Sequence, residues 1–74
     1  MPILTVTTWP TLGDEKSQLL IEKLTDVVHE TTGAPLDKIT VLIQEVPQSR
    51  WGEGGVLGDN PEFPTLSRRK HKAG

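Results

Sequence analysis

PILTVTTW (residues 2–9) and ITVLIQEV (residues 39–46), separated by a helical pattern, decide the fold of this chain. In the first, Leu4 and Val6 alternate with Thr5 and Thr7, and β-branched residues dominate, which is the pattern of a strand with one face buried. Pro2 is compatible because proline is tolerated at the first residue of a strand, and Pro10 ends the pattern. The second stretch is more continuously apolar through Val41-Leu42-Ile43, as expected for an interior strand.

Between them, Asp14-Glu15 place acidic groups at the positive end of a helix, with Gly13 or Asp14 as N-cap. Leu20, Leu24, Val27, Val28 and Thr31 fall on one stripe, and Lys16, Glu22, Lys23, Asp26 and Glu30 lie mostly opposite. Gly33 is placed to end the helix in a left-handed conformation, shortly before Pro35. His29, at the edge of the stripe, reads as a boundary histidine. Strand, helix and strand at this spacing make a βαβ unit, so the two strands are parallel. The predicted fold class is α+β, with a parallel two-stranded sheet; the glycine-rich segment 50–57, whose glycines allow close approach of another chain, suits a short C-terminal hairpin or an inter-subunit arm. Residues 1–57 form the domain, and residues 58–74 an extended C-terminal tail in which Phe63 is an anchor.

Outward from this core, composition limits what the chain can be. It has 74 residues, no cysteine, and three aromatics in Trp9, Trp51 and Phe63. One small domain fits this length, with neither disulfide nor thiolate metal site to support it. A His/carboxylate metal site would need His29 and His71, which lie in the helix and the tail, and no metal or other cofactor is expected. One helix covers one face of a sheet, so the other face asks for a partner chain. No apolar run approaches a membrane span and no signal peptide is visible, giving the expectation of a cytoplasmic protein without a membrane partner. The net charge of −2 is uneven. The body carries an excess of acids, while Arg68, Arg69, Lys70 and Lys72 make the end basic. Without aromatic platforms or a nucleic-acid-binding fold signature, these cations read first as a solvated terminus, and no nucleic-acid partner is expected.

Pro2 is the residue with the most distinctive chemistry. If Met1 is removed, Pro2 becomes a secondary amine at a strand end. On its own that is a common and uninformative start. It gains weight from Pro2-Ile3, Asp14-Glu15-Lys16, Gly33-Ala34-Pro35-Leu36, Val41-Leu42-Ile43-Gln44-Glu45 and Arg50-Trp51-Gly52-Glu53-Gly54-Gly55. In order and spacing these resemble the tautomerase superfamily, specifically its short subunits of the 4-oxalocrotonate tautomerase type. The resemblance runs from Pro2 to about Leu57.

It implies a tautomerase of small 2-hydroxydienoates or enols of 2-oxo acids, of the kind used in aromatic degradation. It also implies a homohexamer built as a trimer of dimers, and a general-base role for Pro2. Burial and nearby cations lower an amine's pKa toward the range in which a base works best. Trp51 matches an aromatic that lines the family's site, and Trp9 stands where an aliphatic is usual; each reads as a pocket wall or as interface packing. Two family arginines that bind dicarboxylate substrates are replaced by Leu12 and Thr40. A hydroxyl does not reproduce a bidentate guanidinium, though Thr40 retains one donor. Arg50 is the first replacement cation to consider, with an exposed surface role as its alternative. Lys16 and the pair Arg68 and Arg69 come next.

Glu53 matches a glutamate that activates water in the related 3-chloroacrylic acid dehalogenases, or is a plain loop carboxylate. Three alternatives to the tautomerase reading therefore stand. One is a non-catalytic subunit of a hetero-hexamer. Another is a hydratase or dehalogenase using Glu53. The third is nucleic-acid binding by the tail.

Overall fold

The computed structural model describes residues 2–71; Met1 and Lys72, which entered the reading above, lie outside the described residues. Strand β1 (Ile3–Thr8) leads into helix α1 (Gly13–Thr32), then strand β2 (Thr40–Glu45). A small hairpin of β3 (Gly52–Glu53) and β4 (Val56–Leu57) follows, then the short helix α2 (Phe63–Leu66). β1 and β2 pair in parallel, in register from Ile3 opposite Thr40 to Thr8 opposite Glu45. The α+β class, the βαβ order and the C-terminal hairpin are thus as the sequence predicts.

Alternation decides which side of the sheet is covered. Pro2 just before β1, Leu4, Val6 and Thr8 on β1, and Val41 and Ile43 on β2, are half-buried. Leu20, Leu24 and Val28 form the half-buried line of α1, which packs on β2. Two members of the predicted stripe do not belong to it: Val27 is 56% exposed and Thr31 is also exposed. A line at i, i+4, i+8 is sufficient to face two strands, and the wider stripe overshoots them. α1 begins at Gly13 with Leu12 in the cap position and no side-chain cap bond, so neither Gly13 nor Asp14 is the N-cap. Its end is as read: Gly33 is left-handed and its N–H returns to the His29 carbonyl. His29 is exposed and donates from Nδ1 to the Ala34 carbonyl at 2.7 Å.

The opposite face of the sheet is open. Ile3 is 62% and Leu42 50% exposed, and among the described residues β2 pairs only with β1 rather than lying in a sheet interior. Among the described residues the only buried hydrophobic is Val56 in the hairpin. The chain measures 53 × 25 × 15 Å, and its radius of gyration is 16.7 Å, where a compact chain of this length has about 11 Å. It exposes 5847 Å², roughly 1,300 Å² beyond a compact protein of its mass. The shape is that of a piece with surface left to bury.

Candidate active site

The residues singled out from sequence sort to two ends of the sheet. At one end, Pro2 heads β1. Its carbonyl accepts the Thr40 N–H at 3.1 Å, which fixes the strand end while leaving the proline nitrogen outside the ladder. Thr40 sits opposite Ile3 in the register and is exposed with it on the open face.

At the other end, beyond Thr8, three aromatics cluster. Trp9 meets Trp51 edge-on at 5.9 Å between ring centres, and Phe63 at 5.7 Å. Edge-to-face packing suits the aromatic quadrupole. The Trp51 Nε1–H donates to Glu53 at 2.8 Å, which orients the indole and ties the carboxylate to it. The Trp9 Nε1–H is buried and has no hydrogen-bond partner among the described residues. Pro2 and Trp9 stand seven residues apart on an extended strand, about 23 Å at the usual rise. One chain therefore does not bring Pro2 to its own Trp9 and Trp51.

The hairpin and the tail build the rest of this aromatic end. Gly54 and Gly55 connect β3 to β4 with φ of 61° and 80°, as a type I′ turn requires. The absence of side chains there also admits the tail: a Cβ on Gly54 would stand 2.7 Å from the Ser67 carbonyl oxygen. The close approach the glycines allow is thus made by the chain's own C-terminal segment. That segment is not extended, as the sequence reading had it. Asn60 Oδ1 accepts the Glu62 N–H at 2.8 Å, turning the chain at Asn60-Pro61 into α2, where Pro64 sits in the first turn. Phe63 is half-buried against Trp9, which is the anchor expected of it, and Arg69 Nε donates to the Gly54 carbonyl at 2.8 Å.

Folding back in this way forms an open cleft of about 800 Å³ lined by Trp9, Glu53, Phe63, Pro64, Ser67, Arg68 and Lys70. A smaller concavity of about 290 Å³ lies on the other side of Trp9, between Thr7, Thr8, Thr11 and Trp51. Arg50 lines neither; it is exposed and its Nη1 reaches the Ser49 carbonyl at 3.3 Å. Lys70 was missed from sequence. The clue available was Asn-Pro followed by Phe-Pro, a turn and then a helix start, which would have folded the basic end back.

Comparison with known proteins gives the class. The family model described as Tautomerase enzyme matches residues 2–60. A 2-hydroxymuconate tautomerase of Bacillus subtilis (strain 168) is 40% identical over 55 residues, covering 74% of this chain and 89% of that protein. Among solved structures, the 4-oxalocrotonate tautomerase homologue TTHB242 superposes with a TM-score of 0.78 at 32% identity, covering 84% of this chain and 98% of the other. A heterohexamer 4-oxalocrotonate tautomerase from Chloroflexus aurantiacus J-10-fl gives 0.76 at 26% identity, covering 82% and 98%. This chain belongs to the tautomerase family. It is an enzyme of the tautomerase class, and among its described residues no helix is long and apolar enough to cross a membrane.

Proposed function

We propose that Pro2, freed by removal of Met1, is the general base of a tautomerase acting on the enol of a small 2-oxo acid or a 2-hydroxydienoate. The amine nitrogen takes the enol O–H proton. The carbonyl forms as the C=C electron pair moves to carbon, and the proton is returned there. The proline ring holds the nitrogen in one orientation, which limits the search for productive geometry.

The observation that carries this reading is the pinned strand end. The Thr40 N–H holds the Pro2 carbonyl at the head of β1, next to Ile3 and Thr40 on the open sheet face. The separation of Pro2 from Trp9 and Trp51 along β1 favours a site completed by a second chain, whose aromatic end walls the proline and keeps water out. The unburied surface and exposed Ile3 and Leu42 favour the same assembly. A homohexamer is the reading adopted. Replacing Pro2 by Ala and assaying the ketonisation of phenylenolpyruvate and 2-hydroxymuconate tests it. Loss of kcat by about 10²-fold or more is expected of a general base, and undiminished turnover removes the proline from the mechanism.

The Chloroflexus relative, a heterohexamer, favours one second reading: this chain as a subunit that needs a homologous partner carrying the arginines absent at Leu12 and Thr40. The chain purified alone distinguishes the two. An active homo-oligomer supports the first, and an inactive chain rescued by a partner supports the second.

A further inference from the structure

The segment from Pro61 onward lies beyond the part of the chain that the family model matches. It is nevertheless built into the fold as a strap. Phe63 docks edge-on to Trp9 at 5.7 Å, the Ser67 backbone lies over Gly54, and Arg69 Nε holds the Gly54 carbonyl at 2.8 Å. Between these fixings the strap carries Arg68 and Lys70 to the rim of the cleft of about 800 Å³ shared with Trp9, Glu53 and Phe63. Arg69, the middle of the three cations, is spent on the anchor; its neighbours are left facing the cleft.

We propose that this strap supplies the carboxylate-binding subsite of the enzyme and sets its preference for planar substrates with a single carboxylate. The proposal rests on the Pro2 reading above for the reaction, but not for the binding. Trp9 and Phe63 offer apolar ring surfaces to a conjugated body. Arg68 offers the guanidinium fork that matches a carboxylate, and Lys70 a second, mobile cation. Glu53 is the one acidic group on the cleft. Two cations against one carboxylate leave the cleft with the charge of one cation, which one substrate carboxylate neutralises. A second substrate carboxylate would enter beside Glu53 with no cation to match it. The cations so supplied come from the strap, whereas Leu12 and Thr40 carry no charge.

The test uses the full chain, with Arg68→Ala/Lys70→Ala as a double variant. Both side chains are exposed, so the fold is expected to persist, and sedimentation checks the assembly. Steady-state kinetics on phenylenolpyruvate (one carboxylate) and 2-hydroxymuconate (two) are paired with quenching of tryptophan fluorescence by cinnamate, a planar monocarboxylate that does not react. For wild type, kcat/KM is expected to favour phenylenolpyruvate. In the double variant its KM is expected to rise about 30-fold with kcat nearly unchanged, as loss of a charged hydrogen bond implies, and cinnamate quenching is expected to weaken similarly. Glu53→Gln is expected to raise kcat/KM for 2-hydroxymuconate relative to phenylenolpyruvate. An unchanged KM in the double variant, with turnover still abolished by Pro2→Ala, overturns the strap proposal and leaves the proline reading intact. If wild type turns over neither compound, the proline reading fails. Cinnamate then decides the strap by itself: quenching lost in the double variant supports it, and quenching equal to wild type overturns it.

Discussion

Replacing Gly54 by alanine separates two costs that the structure assigns to one position. The first is local. Gly54 has φ of 61°, where an L-residue loses about 1 kcal/mol. The second is at a distance. The new Cβ would lie 2.7 Å from the Ser67 carbonyl oxygen and 3.4 Å from its carbonyl carbon, and backbone atoms cannot rotate away as a side-chain tip can. The strap must therefore lift, and the Arg69 Nε bond to the Gly54 carbonyl goes with it, a further loss of about 1 kcal/mol. The distal loss alone makes a roughly 5-fold rise in strap opening, and the two together a loss of about 2 kcal/mol in overall stability. Gly13 is the control: its φ is 80°, but a Cβ there would meet nothing within 4 Å. Gly13→Ala should cost only the local term. Hydrogen exchange reads the difference at the Ser67, Arg68 and Arg69 amides, which are bonded to the Phe63, Thr65 and Leu66 carbonyls. Faster exchange there in Gly54→Ala alone is expected. Equal exchange in the two variants, with equal losses of Tm, would refute a strap seated on the hairpin.

Leu42→Arg places a charge on the uncovered side of the sheet, where Leu42 is 50% exposed in the single chain, and should shift sedimentation toward smaller species with activity lost in parallel. An assembly of unchanged size would show that this face is not an interface. Trp9→Ala should cost about 3 kcal/mol through loss of both edge contacts. Trp9→Phe should stay within about 1 kcal/mol of wild type, because removing the unpartnered buried N–H offsets part of the lost area. Thermal unfolding of the two variants checks the contrast, and similar losses would contradict it.

Much of the fold was legible because it rests on local pattern. Alternation in residues 2–9, the helical line Leu20-Leu24-Val28 and the left-handed Gly33 each specify their element within a few residues. Val27 is exposed although it falls on the apolar stripe, because periodicity in a sequence carries no information on how wide a surface the helix meets. The open sheet face could be inferred from one helix serving two strands. The candidate site was legible only in its parts. Trp9, Trp51, Glu53 and Phe63 each stood out as residue types, yet their meeting depends on a hairpin and a strap closing over long sequence separations. Arg50 was favoured for its position beside Trp51, but adjacency in sequence does not decide where a side chain points. Arg68, a lower-ranked candidate cation in the sequence, and Lys70, which reads there only as part of a solvated end, are brought to the cleft by a turn at Asn60-Pro61 whose consequence is tertiary.

The nitrogen of Pro2 is a base only as a free secondary amine. The intact mass of the purified, active protein tests this directly. The expected result is a chain lighter than the translated sequence by one methionine residue. An active protein that retains Met1 would have its proline nitrogen locked in a tertiary amide, and the proposed mechanism would be contradicted.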